Sequence, residues 1–405
     1  MELKWLLICL IRWFQVIGNT GCFEEERLAL IQFKASLESD EYGSKFPILP
    51  SWIDEPEHNC CEWERVSGNS TAAHVIHLSL DNLRGYYYDE NIYDLKVSIF
   101  QHFKELRSLN LSYNNFGGFV EKEGLERLSN LKKLKVLDLS YNRFNRSILS
   151  WVTPMTSIKI LNLSVNDMEG SSPYQEVTKL QNLEVLDLSS NNFNGTLPTQ
   201  ELASLQNLKK LDLSFNRFNL IQDFIAFKSL EILDLSWNFM NGTLPPYMWA
   251  PPSLKVLSLR GNRFNGSLSN FIAFKSLEIL DLSWNHINGT LPPYKWAPPS
   301  LKVLSLCGNR FNGSLSNFIA FKSLEILDLS WNHINGTLPP YKWAPPSLKV
   351  LSLCGNRFNG SLSNCHFPLP FSDQISGHQT DETRWRSTSW TLAISVPASL
   401  SPIGA

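Results

Sequence analysis

Leucines recur along most of this chain in a short pattern that predicts one stacked architecture. In the stretch LEILDLSWN, Leu280 and Leu282 alternate with Ile279, Asp281 and Ser283. Because successive side chains of a strand point to opposite faces, this alternation predicts a short strand that sends two leucines into a core. One such turn cannot bury its apolar face alone, so we expect many copies to stack into a solenoid whose parallel strands line one concave surface.

The pattern L-x-x-L-x-L-x-x-N recurs at intervals of 22 to 28 residues, which is the range of leucine-rich repeats. The asparagines that close it, here called the ladder asparagines, are Asn114, Asn142, Asn166, Asn191, Asn216, Asn238, Asn262, Asn285, Asn309, Asn332 and Asn356. A degenerate turn, VIHLSLDNL, precedes them. We expect about twelve repeats over residues 75–363, and we interpret the asparagines as structural because an interior amide can satisfy backbone groups of adjacent coils.

Three consecutive blocks of 47 residues, 223–269, 270–316 and 317–363, have nearly the same sequence. The last two are identical, and the first differs from them at five positions. Tandem duplication of a two-repeat unit explains this identity. The predicted fold class is an α/β solenoid, a leucine-rich-repeat arc with parallel β-strands on the concave face and an N-terminal helical cap.

Charge and motif content narrow the possible functions. The chain has 36 basic and 38 acidic side chains, so its charge gives no reason to expect a nucleic-acid partner or an anionic membrane surface. Protein-kinase signatures, the phosphate-binding pattern G-x-x-x-x-G-K-[ST] and metal-spaced Cys or His pairs do not occur in the sequence. We therefore expect no catalysis, no cofactor and no metal site.

The first 21 residues, MELKWLLICLIRWFQVIGNTG, contain a basic residue, an apolar run and small residues near the end. This order predicts a secretory signal peptide at residues 1–21. A short membrane anchor is the alternative interpretation, which the short run and the charge of Arg12 disfavour. We expect that no later segment spans a bilayer.

Eleven N-x-S/T sequons support export, because they are acceptors for N-glycosylation in secreted proteins. They are Asn69, Asn110, Asn145, Asn162, Asn194, Asn241, Asn265, Asn288, Asn312, Asn335 and Asn359. Eight of them lie three residues after a ladder asparagine, at a turn that itself favours Asn-Gly. Asn69 lies in the cap region, whereas Asn110 and Asn162 fall between strand leucines and predict glycans on the concave face.

An N-terminal cap is expected over residues 22–74. The stretch CFEEERLALIQFKASL has acids in its first turn and apolar positions at Leu30, Phe33 and Leu37, which predicts a capping helix. LPSWIDEPEHNCCEWERV follows, and L-x-L-S-x-N-x-F-N-G repeats come after it. With this combination, residues 22–363 resemble the plant leucine-rich-repeat receptor-like proteins.

The resemblance implies a cell-surface protein with an extracellular solenoid, one transmembrane helix and a short tail without a kinase. Such proteins perceive extracellular peptides or other elicitors in defence or development and signal through partner receptor kinases. The resemblance also implies a disulfide between Cys22 and Cys60. In the family Cys61 has a partner seven residues on, where this chain has Gly68, so we expect Cys61 to be an unpaired thiol.

The leucine period stops at residue 364. The tail, residues 364–405, has neither the C-terminal cysteine cap nor the transmembrane helix of the family, and we expect it to be disordered. We interpret the chain as a truncated product or as a gene model that continues past its splice site. Cys307 and Cys354 occupy equivalent positions two coils apart, roughly 9 to 10 Å, and we expect them to be free because disulfides need about 7 Å or less between Cα atoms.

Two columns of side chains make the concave face a candidate binding surface. Large aromatics alternate with glycines just before the ladder asparagines, and aspartates alternate with serines between the strand leucines. The candidate ligand-binding residues are Phe215, Asp234, Trp237, Arg260, Asp281, Trp284, Asp328 and Trp331. Tryptophans on every second coil would stand about 10 Å apart, which suits a periodic partner such as a wall polysaccharide or a repetitive peptide. Duplication would also copy these residues if they had no use.

Two functions from different classes follow. The first is an extracellular ligand-recognition solenoid at the plant cell surface, which binds a peptide, protein or wall-polysaccharide ligand and signals through a partner kinase. The second is a secreted inhibitor of a cell-wall-degrading enzyme, because polygalacturonase-inhibiting proteins have similar repeats and need no membrane helix. If this chain is the complete product, we expect it to be extracellular.

Overall fold

The computed structural model of the chain describes residues 22–38, 49–55, 58–69, 74–83, 92–120, 125–171, 174–197, 199–221, 227–244, 251–268, 274–291, 298–315, 321–337, 345–359 and 366–368. The expected signal peptide, residues 1–21, lies outside these ranges, and so does the expected tail except for His366–Pro368. All the described residues fall within one unit, Met1–Leu369.

The central feature of the described chain is one sheet of 14 strands. In spatial order the strands are Val66–Asn69, His74–Ser79, Ser108–Asn110, Val136–Asp138, Ile160–Asn162, Val185–Asp187, Lys210–Asp212, Ile232–Asp234, Val256–Ser258, Ile279–Asp281, Val303–Ser305, Ile326–Asp328, Val350–Ser352 and His366–Pro368. The first and last pair antiparallel with their neighbours, and the strands between them run parallel. The predicted parallel-strand solenoid is confirmed.

Neighbouring coils pair in strict register, so that equivalent residues form columns across the sheet. Leu257, Leu280 and Leu304 are direct partners on three consecutive strands, and all three are fully buried. Ile279, which precedes Leu280, is only half-buried. Alternation of side chains thus sends each central leucine into the core and its neighbours toward the concave face.

Shorter elements complete each coil. Small parallel sheets lie outside the large one. Tyr93–Leu95 pairs with Phe116–Phe119, and Asn192–Thr196 lies between Glu169–Ser171 and Arg217–Leu220. The other pairs are Asn241–Thr243 with Arg263–Asn265, Asn288–Thr290 with Arg310–Asn312, and Asn335–Gly336 with Arg357–Phe358. The α-helices after the cap are Ile148–Val152, Tyr174–Val177 and Thr199–Leu202, and the 3-10 helices are Cys60–Glu62, Val97–His102 and Leu125–Asn130.

The ladder asparagines join adjacent coils from within the core. The Nδ2 atom of Asn285 donates to the carbonyl oxygens of Leu259 in the preceding coil and of Leu282 and Ser283 in its own coil, at 2.9, 3.1 and 3.2 Å. Its Oδ1 atom accepts from the backbone N–H of Phe264 at 3.1 Å. One buried amide therefore joins two adjacent coils through four hydrogen bonds to their backbone groups.

The N-terminal helix, Glu24–Glu38, closes the first coil as predicted. Its residues Leu30 and Phe33 are buried in the continuous core. The carboxylate of Glu26, 1% exposed, accepts from the backbone N–H of Val75 at 2.9 Å and lies 3.1 Å from Nδ1 of His74. Burial raises the pKa of Glu26, and these two contacts oppose the rise. The helix is thus tied to the first strand of the solenoid.

Candidate ligand-binding surface

Three indoles stand along one edge of the concave face, on every second strand. Trp237, Trp284 and Trp331 have φ angles of 53°, 54° and 55°, in the left-handed region that non-glycine residues rarely occupy. They expose 43%, 47% and 63% of their surface. Each leaves a large apolar ring open to solvent at the end of a strand whose other side chains are mostly buried or half-buried.

In the coil after each tryptophan, the indole ring leaves room only for glycine at the equivalent position. A Cβ atom at Gly261 would lie 2.6 Å from Cδ2 of Trp237, and one at Gly308 would lie 2.9 Å from Cδ2 of Trp284. The same distance would separate a Cβ atom at Gly355 from the ring of Trp331. Each indole therefore covers the backbone of the next coil, which explains why tryptophan and glycine alternate in this column.

Four of the candidate residues meet in one cluster. The ring centroids of Phe215 and Trp237 lie 5.8 Å apart with an interplanar angle of 21°. The Cζ atom of Arg260 lies 5.9 Å from the ring centroid of Trp237, and its Nη1 atom lies 3.9 Å from Oδ2 of Asp281. A guanidinium group thus bridges an aromatic ring of one coil and a carboxylate two strands further on, an arrangement that both groups favour.

In the second and third blocks a cysteine replaces this arginine. Cys307 and Cys354 are free in the structure. Cys307 is buried, and its Sγ atom accepts a hydrogen bond from Oγ of Ser330 at 3.2 Å. Burial raises the pKa of the Cys307 thiol to about 11, so the group is protonated and weakly nucleophilic at neutral pH.

The aspartates of the concave face take part in the local fold. Oδ1 of Asp281 accepts from N–H and Oγ of Ser283 at 2.9 and 2.6 Å, and Oδ1 of Asp328 accepts from the same two groups of Ser330 at 2.9 and 2.6 Å. Burial raises the pKa of Asp281, while the contacts with Ser283 oppose that rise. Each aspartate therefore holds the turn at the end of its strand with one oxygen and keeps its second oxygen for other contacts.

Nearer the middle of the chain, three aspartates occupy adjacent strands. Asp187, Asp212 and Asp234 are direct partners across the sheet. Burial, and secondarily the charge of Asp212, raises the pKa of Asp187 and of Asp234 to about 6. Asp187 and Asp234 therefore titrate in the mildly acidic range.

Oppositely charged side chains pair at the start of the strands. Lys255 and Glu231 lie 2.7 Å apart, Lys302 and Glu278 lie 2.6 Å apart, and Lys349 and Glu325 lie 2.7 Å apart. The lysines are about half exposed or more. Exposed pairs of this kind are screened by solvent and contribute little, so this column adds little to the candidate site.

The sequons divide into two groups. The eight that follow ladder asparagines are all exposed, and they are Asn145, Asn194, Asn241, Asn265, Asn288, Asn312, Asn335 and Asn359. Asn110 and Asn162 are only half-buried; their Oδ1 atoms accept from the N–H groups of Ser112 and Ser164, both at 3.0 Å. Asn69 ends the first strand of the sheet. Glycosylation at these positions stays a prediction.

The cap contains one disulfide and one free thiol. Cys22 and Cys60 are joined, with Cα atoms 5.5 Å apart. Cys61 is free, and burial raises its pKa to about 11, with smaller contributions from the charges of Glu26 and Glu62. Gly68 lies directly against the Sγ atom of Cys61.

Two sequence families match this chain. The leucine rich repeat N-terminal domain matches residues 23–67. The Leucine Rich Repeat family matches residues 105–130, 133–155, 182–201, 207–227, 229–250, 253–274, 276–294 and 323–341. Together the matched segments make up more than half of the chain. The chain belongs to the leucine-rich-repeat family.

Similar proteins place this leucine-rich-repeat chain among plant receptor-like sequences. It is 35% identical to "Receptor like protein 21" of Arabidopsis thaliana over 42% of this chain and 17% of that protein. It is also 35% identical to "Receptor-like protein 1" of the same plant, over 44% of this chain and 17% of that protein. The matched part of the chain thus spans less than a fifth of either relative.

Solved structures share the solenoid. The structure of PEPR1-AtPEP1 superposes with a TM-score of 0.62 at 25% identity, over 83% of this chain and 46% of that one. The ectodomain of the plant membrane receptor kinase GASSHO1/SCHENGEN3 from Arabidopsis thaliana, in complex with CASPARIAN STRIP INTEGRITY FACTOR 2, gives 0.60 at 26% identity, over 84% of this chain and 42% of that one.

The residues that the structure describes contain neither a metal-ligand cluster nor a membrane-spanning helix. Among those residues, no group of three or more His, Cys, Asp or Glu side chains is placed to hold a metal ion. No described helix is both long and apolar enough to cross a membrane.

Proposed function

We propose that this leucine-rich-repeat chain recognises an extracellular peptide on the concave face of its solenoid, at the plant cell surface, and that a partner receptor kinase transmits the signal in defence or development. The observation that carries this proposal is the row of exposed aromatic residues, Phe215, Trp237, Trp284 and Trp331, held along one edge of an ordered parallel sheet. Large aromatic side chains on a rigid scaffold are the commonest anchors of protein interfaces.

The arrangement favours an extended ligand. We call the residue just before each ladder asparagine the rim residue. Rim residues of neighbouring coils lie one inter-strand spacing apart, and tryptophan occupies every second coil, so consecutive tryptophans stand about 10 Å apart. This distance is roughly three residues of an extended chain. An extended peptide that runs along the sheet can therefore contact several coils at once. The complex of the GASSHO1/SCHENGEN3 ectodomain with CASPARIAN STRIP INTEGRITY FACTOR 2 supports the proposal as a precedent in a similar solenoid.

The test is a selection of randomised peptides against the full secreted chain, with counter-selection against the double variant Trp284→Ala, Trp331→Ala. A matched control is Phe239→Ala, because Phe239 has the same 43% exposure as Trp237 but follows the ladder asparagine Asn238, toward the strand Asn241–Thr243 and away from the column of tryptophans. We expect peptides that bind the wild-type chain and the Phe239 variant equally and lose at least about tenfold in affinity on the double variant.

Peptides that bind all three proteins equally would contradict the proposal. Inhibition of a fungal polygalacturonase by the chain, unaffected by the two tryptophan substitutions, would instead indicate the enzyme-inhibitor function.

The partner kinase is tested by co-purification. The selected peptide should increase the amount of a receptor-kinase ectodomain that co-purifies with the wild-type chain. An unchanged yield with and without the peptide would contradict signalling through such a partner.

A further inference from the structure

The three exposed tryptophans have different surroundings although they come from repeated blocks. The difference lies in the next coil, at the residue that directly precedes the glycine covered by the indole. That residue is Arg260 after Trp237, Cys307 after Trp284 and Cys354 after Trp331. The copies therefore offer an internal comparison of one site in three states.

In the first copy the site is filled by the chain itself. The guanidinium carbon of Arg260 lies 5.9 Å from the ring centroid of Trp237, and its Nη1 atom lies 3.9 Å from Oδ2 of Asp281. The attraction of a cation to an aromatic face and to a carboxylate holds the guanidinium in this position. Trp237 and Asp281 thus form a binding site for one guanidinium group.

In the second copy the indole and the carboxylate of this binding site remain, but the arginine is replaced by cysteine. Trp284 and Asp328 stand in the places of Trp237 and Asp281, since the strands that carry them pair in the same register. Oδ1 of Asp328 is held by Ser330, and no described donor lies within hydrogen-bonding distance of Oδ2. Cys307, in the place of Arg260, presents a thiol that is uncharged at neutral pH.

The third copy lacks the carboxylate of the binding site. Trp331 is followed by Cys354, but the next strand of the sheet is His366–Pro368, which pairs antiparallel with Val350–Ser352. Ser352 faces His366 there, and that strand carries no carboxylate. Among the residues that the structure describes, only the second copy combines an exposed indole with a carboxylate that is not paired with a cation.

We propose that Trp284 and Asp328 bind the side chain of an arginine in the extracellular ligand, in the position that Arg260 occupies in the preceding copy. The assignment of this arginine to a peptide rests on the proposed function, whereas the guanidinium site itself rests on the internal comparison. The ligand is thereby anchored at one place along the row and acquires a fixed register. A row of equivalent sites for a periodic polymer would not fix that register.

The test uses the full chain labelled with 5-fluorotryptophan and observed by fluorine NMR, with the Trp284 signal assigned by its loss in Trp284→Phe. The probes are N-acetyl-arginine amide and its neutral analogue N-acetyl-citrulline amide. We expect the arginine probe to shift the Trp284 signal with a dissociation constant in the millimolar range, and citrulline to bind on the order of tenfold more weakly. Equal responses to the two probes would overturn the proposal.

Exchanges between copies supply variants whose local sequence the chain already tolerates elsewhere. Cys307→Arg should fill the site and abolish the response of Trp284, and Arg260→Cys should open a second site so that Trp237 begins to respond. Cys354→Arg is the matched control and should leave the Trp284 response unchanged. An unaltered response of Trp284 in the Cys307→Arg variant would overturn the proposal.

The two proposals fail separately. If arginine binds at Trp284 but no selected peptide depends on the concave tryptophans, the guanidinium site stands and peptide recognition does not. If selected peptides depend on those tryptophans yet bind equally well to Cys307→Arg, peptide recognition stands and the arginine site is refuted.

Discussion

The indole of Trp284 lies over the backbone of Gly308 in the next coil, so closely that a Cβ atom at position 308 would stand 2.9 Å from ring atom Cδ2. Gly308 also has a φ of 66°. Two separate constraints, the ring and the backbone conformation, therefore require glycine here, and the same holds for the rim glycines of the other two blocks.

Gly308→Ala should displace Trp284 and destabilise its coil. Gly242→Ala is the matched control, because Gly242 has a φ of 86° but a Cβ atom added there would meet no atom within 4 Å. We expect Gly242→Ala to lower the free energy of unfolding by about 1 kcal/mol through backbone strain alone. In urea unfolding, Gly308→Ala should cost about 1–2 kcal/mol more than Gly242→Ala. It should also shift the fluorine NMR signal of 5-fluorotryptophan at position 284, and equal effects of the two substitutions would refute the ring contact.

Replacement of a ladder asparagine should weaken the joint between two coils. Asn285→Ala removes four hydrogen bonds and leaves the buried N–H of Phe264 unpaired, which costs about 1–3 kcal/mol before relaxation. The three carbonyls each keep a second donor, from Asn262, Asn309 and Gly261, so they are weakened but not orphaned. We expect a loss of about 3 kcal/mol in the free energy of unfolding. Asn288→Ala, at an exposed position three residues on, should cost less than about 0.5 kcal/mol, and comparable losses would contradict the structural role.

A second cysteine in the cap should form a new disulfide. A Cβ atom at Gly68 would lie 2.5 Å from Cβ of Cys61, so Gly68→Cys places a partner beside a thiol that is otherwise free. The two segments must move apart by about 1 Å to reach the Cβ–Cβ distance of a disulfide, and Gly68→Ser requires a similar movement without the bond. Closing so short a loop stabilises by about 2 kcal/mol in the chain-entropy account. We expect one fewer titratable thiol than in the wild-type chain and a higher unfolding temperature that reduction reverses. Gly68→Ser is the control, and two titratable thiols at positions 61 and 68 would refute the prediction.

Stability should depend on pH through the aspartate row. The pKa of Asp187 and Asp234 is raised to about 6, above the value of about 3.9 in an unfolded chain. A carboxyl raised in this way contributes stability that is complete below about pH 4 and is lost as the pH rises through about 6.

Burial is the main cause of the two raised pKa values and the charge of Asp212 is the second, and Asp212→Asn removes that second cause. We expect it to increase the free energy of unfolding at pH 7 by about 1 kcal/mol and to flatten the pH dependence between pH 4 and 7. The fold already accepts asparagine at this position of the repeat, since Asn162 makes the equivalent hydrogen bonds to Ser164. Asp167→Asn, at an exposed position, should leave the profile unchanged; an unaltered profile in Asp212→Asn would contradict the account.

Much of the fold follows from spacing in the sequence. A leucine such as Leu280 meets its counterparts in neighbouring coils because the repeat length fixes the register, and the ladder asparagines satisfy the backbone as their interior position requires. The capping helix is equally predictable from its acids and apolar positions. These features depend on chain geometry, which the period determines.

The rim contacts cannot be derived in the same way. The sequence shows that tryptophan alternates with glycine, but the covering of Gly308 by Trp284 depends on a rotamer that the pattern does not specify. The pattern predicts that Asp281 faces a ligand, and the structure shows that one of its oxygens is bound to Ser283. Glu26 suits the helix dipole by position, whereas its contact with Val75 crosses between elements.

The central claim is that ligand binds the concave rim. The direct measurement places the photoreactive residue p-benzoyl-phenylalanine at position 284 or, as the control, at position 239 of the full chain. Each protein is incubated with the peptide fraction of plant extracellular fluid, illuminated, and analysed by mass spectrometry. We expect peptide adducts at position 284 and none above background at position 239. Equal labelling at the two positions, or no adduct at position 284, would contradict it.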